Sequence, residues 1–186
     1  MTFSPLFPSE RLVYRPLSME DLEVYMALRH EASYRQWFYF QAPPTLESAA
    51  KEIRDMQEKA SRQVNLLKES FDTGVYLKQS GRLIGTVSLN KFHGPEDELE
   101  FVEIGFGIGE AYQGKGYATE AAKTVVLWGL DRLRELGAEP VIEGNVEHAN
   151  WPSRRVLEKA GFTVSHTKKY VTVYEIRGVP SDILGS

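Results

Sequence analysis

The 186-residue sequence contains no cysteine, only four histidines and no long apolar run. Without cysteine there can be no disulfide, no thiolate metal ligand and no thiol nucleophile. The histidines, His30, His93, His148 and His166, show no metal-ligand spacing, so we expect no metal site. No apolar stretch approaches the ~20 residues that a bilayer span requires, and we expect no membrane association.

A strong charge of one sign is missing as well. The formal net charge is −4, which argues against general nucleic-acid binding because neutralising phosphates requires surplus lysine and arginine. The first five residues lack the basic-then-apolar pattern of a signal peptide, so we expect a cytoplasmic protein. Length and composition fit one domain over 1–186, with a core from about 9 to 177 and a loose tail after 178.

The pattern of apolar residues predicts an α/β (α+β) fold with a mixed sheet. Helices are predicted after Ser18, from 45 to about 67, from 117 to 136 and after Asn150. An aromatic patch at 34–40 follows the first helix. Strands are predicted at 11–15, 74–79, 82–90, 99–108, 141–146, 162–168 and 170–176, the second to fourth as an antiparallel meander.

A glycine-rich turn joins the last meander strand to the third helix. Gly114 and Gly116 allow a ligand to approach the backbone closely, and the helix that starts at Tyr117 presents unpaired N–H groups. Such a helix N-terminus holds phosphate oxygens, and Lys115 adds a positive charge. The turn therefore predicts a phosphate-bearing ligand.

Two other phosphate motifs and a steric explanation compete for this turn. Residues 109–115 match the opening of a P-loop, but Gly116 stands where Ser or Thr must bind Mg²⁺, which argues against a nucleotide hydrolase or kinase. Gly114, Gly116 and Thr119 half match a dinucleotide fingerprint, which would require a parallel βαβ unit. Glycines present only for the steric needs of a turn are the third alternative.

The pattern Gln113-x-x-Gly116-x-Ala118 resembles the signature of the GNAT superfamily of N-acetyltransferases. Residues 10–17 and 83–87 resemble the family's opening strand and third strand. Residues 150–162 are similar to the Asn-x-x-Ser helix of its RimJ/RimL-like branch. The resemblance covers about residues 9 to 165, with the motifs in the family's order.

This resemblance implies a sheet of about seven strands flanked by about four helices and splayed where CoA binds. It implies acetyl-CoA as cosubstrate, with the pantetheine arm on residues 106–108 and the pyrophosphate on the amides of 113–119. Asn150 and Ser153 should face the cofactor, although helix capping alone is the alternative for Asn150. The implied cofactor-binding residues are Phe106, Gly107, Ile108, Gln113, Gly114, Lys115, Gly116, Tyr117, Ala118, Thr119, Asn150 and Ser153.

Acetyl transfer to an amine sets further chemical requirements. A base must take a proton from the amine, and Glu103 is the candidate, with Glu100 in reserve; a hydrogen bond to a neighbouring strand is the structural alternative for Glu103. Many relatives carry a tyrosine where this chain has Leu157, so Ser153 becomes the candidate hydroxyl near the leaving sulfur, with helix capping as its alternative. Because cysteine is absent, direct attack in a ternary complex is favoured over an acyl-enzyme route.

The sequence says less about which amine accepts the acetyl group. The resemblance implies a protein or peptide N-terminus or a small amine, with the 34–40 aromatics and the acidic run 96–98 as candidate walls. Helix packing and a solvated loop are the alternative explanations of these two segments. The protein is expected to be a monomer or homodimer. A non-catalytic acyl-CoA-binding module is the alternative function.

Overall fold

A computed structural model describes residues 9–38, 42–60, 64–93 and 100–178. Within these ranges the chain forms a seven-stranded sheet in the order β1-β2-β3-β4-β5-β7-β6. Every neighbouring pair is antiparallel except β4 and β5, which are parallel, so the predicted mixed and mostly antiparallel sheet is confirmed. The strands are β1 Leu12–Arg15, β2 Phe71–Leu77, β3 Leu83–His93, β4 Glu100–Ile108, β5 Val141–Glu147, β6 Thr163–Thr167 and β7 Val171–Arg177.

The described residues also contain five α-helices and two short 3-10 helices. The 3-10 helices, Met19–Asp21 and Glu110–Tyr112, precede α1 and follow β4. In these ranges no helix is both long and apolar enough to cross a membrane. The α-helices are α1 Leu22–His30, α2 Ala32–Trp37, α3 Leu46–Ala60, α4 Tyr117–Glu135 and α5 Trp151–Ala160.

One helix and several boundaries differ from the sequence prediction, most clearly at α2, α3 and β2. Helix α2 was not predicted, because six residues are too short for a helical apolar repeat to show. Helix α3, described as Leu46–Ala60, was predicted to continue to about Leu67, but residues 64–67 are not helical, and Asn65 accepts a turn hydrogen bond from the Lys68 N–H. Strand β2 starts at Phe71 rather than at Gly74, because pairing with Leu89 of β3 outweighs the local turn tendency of Asp and Gly.

The two faces of the sheet carry separate apolar clusters. On one face the larger cluster packs α4 against the central strands, and Ala121, Ala122 and Val125 are fully buried. A Cβ at Gly129 would lie 2.4 Å from Leu89 Cδ1, so the close approach of α4 requires a glycine there. On the other face α1 and α3 cover β2 and β3 through residues that include Tyr25 and Ile53. Helix α2 lies on the same face as α1 and α3.

The sheet opens between its two parallel strands. In the described chain, β4 and β5 share one ladder pair, Glu103 with Glu143. Beyond it β4 stays paired with β3 as far as Ile108, and β5 stays paired with β7 as far as Glu147. Each strand thus follows its outer neighbour, and a gap without ladder pairs separates β4 and β5 toward their carboxyl ends. The predicted splay is confirmed.

Candidate active site

The turn between β4 and α4 has the backbone conformation that its glycines suggested. Gly114 and Gly116 have φ values of 73° and 83°, a left-handed region that side chains disfavour. Gly116 is the residue that caps the N-terminus of α4, and residues 113–116 are exposed. The first amides of α4, at 117–119, have no partner within a helix of this geometry, and the helix begins just beyond the carboxyl end of β4. This arrangement suits a bound phosphate group.

Arg11 holds the turn from the opposite end of the chain. Its Nη1 donates to the Lys115 carbonyl at 2.9 Å, its Nε donates to Glu120 Oε2 at 2.8 Å, and its guanidinium lies 4.6 Å from the centre of the Tyr117 ring. Burial acts to raise the pKa of Glu120, but hydrogen bonds from Ser9 and Arg11 outweigh it and the pKa is lowered. Sequence reasoning missed Arg11, because nothing local indicates a partner more than a hundred residues away.

The side chains of the turn are engaged within the protein. Lys115 Nζ donates to the Ala111 carbonyl at 2.8 Å, so the predicted rim cation folds back over the 3-10 turn. Gln113 Nε2 donates to the Ile108 carbonyl at 2.8 Å. Ala118 and Thr119 lie partly exposed on the first turn of α4. The side chains therefore shape the turn, and the backbone amides are left to face a ligand.

Residues 106–108 of β4 form one wall of the gap. They pair with residues 85–87 of β3, and no pairing with β5 occurs along this stretch of the described chain. Ile108 is buried and Phe106 packs against the larger core cluster. A Cβ at Gly107 would lie 3.1 Å from Tyr34 Cε2, so a glycine lets the ring of α2 lie close to this strand. The backbone of this stretch is the predicted contact of the pantetheine arm.

Two helix N-termini meet at the open end of the gap. Helix α4 follows the carboxyl end of β4, and α5 follows the carboxyl end of β5. In sheets with parallel strands, ligands bind in such crevices outside the carboxyl ends. Asn150 is buried, and its Oδ1 accepts from the Ser153 N–H at 3.2 Å, so it caps α5 as predicted. Ser153 lies partly exposed on the first turn of α5, at this end of the gap.

Glu103 lies where β4 and β5 part. Burial is the main cause that raises the pKa of Glu103 to about 7, hydrogen bonds from Asn145 partly oppose it, and the nearby Glu143 adds to it. Asn145 Nδ2 donates to Glu103 Oε2 at 3.2 Å, so the hydrogen bond to a neighbouring strand exists alongside the perturbed acidity. A carboxyl of this pKa exchanges protons readily near neutral pH. The side chain of Glu100 lies outside the described residues.

A cavity of about 560 Å³ lies on the sheet face that α1, α2 and α3 cover. Its floor includes Ser88, Asn90 and Gly105, and Asn90 is the register partner of Glu103, so the floor leads to that carboxyl. Tyr34 and Phe38 line the cavity with stacked rings whose centres lie 4.4 Å apart. These two members of the predicted aromatic wall thus line a cavity, and its role as the acceptor site stays a prediction. Tyr39, Phe40 and the acidic run 96–98 lie outside the described residues.

Charged side chains line the deeper part of this cavity. Tyr25 donates its hydroxyl to Glu52 Oε2 at 2.7 Å, and Arg29 pairs with the same carboxylate. Burial raises the pKa of Asp72, and Lys59, 3.6 Å away, partly opposes this. Three carboxylates, with Asp55 as the third, face two cations in the lining. Nowhere in the described chain do three His, Asp or Glu side chains form a metal site.

Comparison with known proteins agrees with this architecture. The sequence model of the family described as "Acetyltransferase (GNAT) domain" matches residues 11–163. The chain is 32% identical over 161 residues to a Bacillus subtilis protein described as a probable N-acetyltransferase, YjcK, covering 84% of this chain and 83% of the relative.

Solved structures share the fold. A GNAT-family acetyltransferase from Bacillus anthracis superposes with a TM-score of 0.69 at 22% identity, covering 92% of this chain and 97% of that one. A Vibrio cholerae protein described as a candidate ribosomal-protein-serine acetyltransferase has a TM-score of 0.67 at 20% identity, covering 95% and 100%. At these identities the structures show the fold alone. Taken with the family match over most of its length, the splayed sheet and the glycine turn make this chain a member of the GNAT acetyltransferase family.

Proposed function

We propose that the protein transfers the acetyl group of acetyl-CoA to a primary amine by direct attack in a ternary complex. The observation that carries this proposal is the position of Glu103. A carboxyl with a pKa of about 7 lies where β4 and β5 part, opposite Asn90 and two residues before Gly105 in the floor of the 560 Å³ cavity. A donor in the gap and an acceptor in the cavity would meet beside this group.

The residues around the gap fit acetyl-CoA. The amides of residues 113–119 would hold the pyrophosphate, and the backbone of 106–108 would pair with the pantetheine arm. Asn150 and Ser153, at the N-terminus of α5, would face the cofactor from the β5 side. When bound, acetyl-CoA supplies an activated acyl group with a thiolate leaving group, and the Ser153 hydroxyl is placed to donate toward that sulfur. A β4 backbone N–H that β5 leaves unpaired would stabilise the oxyanion.

The acidity of Glu103 favours one kind of amine. An α-amino group has an ordinary pKa of about 8, so proton transfer to a carboxylate of pKa about 7 costs on the order of 1 kcal/mol. Proton transfer from a lysine ammonium, which has a pKa of about 10.4, to the same carboxylate would cost roughly 4 to 5 kcal/mol. The base therefore suits a peptide N-terminus or a small α-amine better than a lysine side chain.

The cavity and the RimJ/RimL-like motif support the same choice. A volume of about 560 Å³ is of the size that holds a small molecule or the first residues of a peptide. The lining carries one more carboxylate than cation, which suits a protonated amine. The Asn-x-x-Ser start of α5 is similar to the RimJ/RimL-like branch, and the description of the Vibrio cholerae structure points to a protein substrate for that neighbour. We therefore assign a peptide N-terminus or small amine as acceptor.

The test is thiol release from acetyl-CoA in the presence of a panel of N-terminal peptides and small amines. Release that depends on one acceptor class establishes the reaction and its substrate. Acetyl-CoA binding without turnover across the panel would support the non-catalytic acyl-CoA-binding module instead. Failure to bind acetyl-CoA would contradict the assignment of the turn at 113–119.

A further inference from the structure

Three hydrogen bonds connect the proposed cofactor turn to α2 and the residue before it. Glu110 N–H donates to Glu31 Oε2 at 2.8 Å, and Ser33 N–H donates to Glu110 Oε1 at 2.8 Å. Gln113 Nε2 donates both to Ser33 Oγ, at 3.1 Å, and to the Ile108 carbonyl, at 2.8 Å. We call Glu31, Ser33, Glu110 and Gln113 the interhelix link.

The link is reciprocal and satisfies groups that a helix end leaves unpaired. Glu31 precedes α2 and caps the N-terminus of the Glu110–Tyr112 helix, while Glu110 caps the N-terminus of α2. Each carboxylate accepts the amide of the other segment, although nearly eighty residues separate them. Neither segment can move away without exchanging a charged acceptor at its own N-terminus for water. The two segments are therefore expected to move together.

Helix α2 also forms part of the cavity wall. Tyr34 follows Ser33 directly, its ring is stacked with that of Phe38, and both line the cavity. Tyr34 lies close enough to β4 that a Cβ on Gly107 would be 3.1 Å from its ring. One end of α2 is thus attached to the turn that would hold the donor, and its aromatic side covers the space that would hold the acceptor.

We infer that the interhelix link positions α2 over the acceptor cavity in response to cofactor binding, with Glu31, Ser33 and Glu110 as positioning residues. This inference rests on the proposed function. A ligand held by the amides of 113–119 orders the turn, the link transmits that order to α2, and the cavity closes around Tyr34 and Phe38. Because coupling between two sites is reciprocal, an acceptor in the cavity strengthens cofactor binding by the same factor.

Hydrogen–deuterium exchange of the full chain, with and without saturating CoA or acetyl-CoA, tests this without knowing the acceptor. The reporters are the α2 amides of Arg35 and Phe38, which donate within the chain to the carbonyls of Glu31 and Tyr34. Helix α2 has six residues, so it opens often and its exchange is sensitive to added order. We expect saturating CoA to slow these amides by about fivefold or more, the lower end of ordinary allosteric coupling.

Glu31→Ala should abolish this slowing while leaving the CoA-dependent slowing at residues 113–120 in place. Glu31→Gln keeps an acceptor oxygen and should retain most of the slowing in α2. The matched control is Glu23→Ala, at an exposed glutamate of α1, which should leave the slowing unchanged. If Glu31→Ala fails to fold, Ser33→Ala removes only the hydroxyl that accepts from Gln113 and should reduce the slowing.

The outcomes distinguish a failure of the inference from a failure of the proposed function. Slowing at 113–120 without slowing in α2 of the unmodified protein would overturn the inference and leave the proposed function standing. No slowing at 113–120 would overturn the proposed cofactor site, and the inference with it. Full CoA-dependent slowing of α2 in both Glu31→Ala and Ser33→Ala would also overturn the inference, because the effect of CoA would then reach α2 without the link.

Discussion

Replacing Glu103 with glutamine should lower catalysis and raise stability at the same pH. The variant keeps the shape of the side chain and an oxygen that can accept from Asn145, but it cannot take a proton. Removal of a general base ordinarily costs about 10²- to 10⁴-fold in rate, and we expect kcat to fall by that amount with little change in acetyl-CoA affinity. Stopped assays of thiol release measure the first quantity, and calorimetric titration measures the second.

The unmodified enzyme should show the titration of this base. With a pKa of about 7, the carboxylate fraction of Glu103 rises about tenfold between pH 6 and pH 8, and kcat/KM should rise with it. Glu143→Gln is the matched control, because Glu143 pairs with Glu103 in register and contributes to its raised pKa. That variant should keep its turnover, with the midpoint of the pH profile moved to lower pH.

The stability change has the opposite sign from the activity change. Folding raises the pKa of Glu103 from 4.5 to about 7, so the folded state binds more protons than the unfolded state between these values. This carboxyl therefore costs stability progressively as the pH rises from about 4.5 to about 7, and the full cost is present above that range. A shift of about 2.5 pKa units corresponds to roughly 3 kcal/mol as an upper figure.

Glu103→Gln removes that cost. At pH 8 the variant should melt above the unmodified protein, by about 6 to 12 °C for the full 3 kcal/mol in a chain of this size. The difference should shrink as the pH falls and vanish near pH 4.5. Turnover at the unmodified rate, or a variant that melts lower at pH 8, would refute the assignment of Glu103 as a buried base.

Three further substitutions test other parts of the site. Gly116→Glu should abolish acetyl-CoA binding, because a carboxylate would repel the pyrophosphate. The position also has a φ of 83°, and a Cβ there would lie 3.3 Å from Arg11 Nη2. Unchanged affinity in a titration would contradict the placement of the phosphates. Asn150→Ala should cost about 1 kcal/mol of unfolding free energy in denaturant melts through loss of the α5 cap, and an unchanged midpoint would show that the cap is dispensable. Ser153→Ala should lower kcat with little effect on melting temperature, whereas a large loss of thermal stability with normal kcat would assign the hydroxyl to the helix end.

Local chemistry explains what could be predicted without a structure. The glycines at 114 and 116, the helix start after Ser18 and the Asn150 cap all depend on residues close in sequence, and each was found where its motif indicated. The alternation of apolar residues predicted seven strands, and the order of several linked motifs indicated the GNAT family before any coordinates. Such signals are carried by the chain because turn and cap geometry depend on immediate neighbours.

Only the tertiary structure decided the features that distant residues make together. Arg11 reaches Lys115 and Glu120, Glu31 reaches Glu110, and the short helix α2 becomes recognisable only through these contacts and its packing over Gly107. Glu103 illustrates the division most clearly. Its place on the strand before the glycine turn was readable in the sequence, but a pKa near 7 arises from burial between β4 and β5 and from Glu143 across the gap, with Asn145 partly opposing the rise. Acidity depends on the surrounding dielectric and charges, and those exist only once the strands have paired.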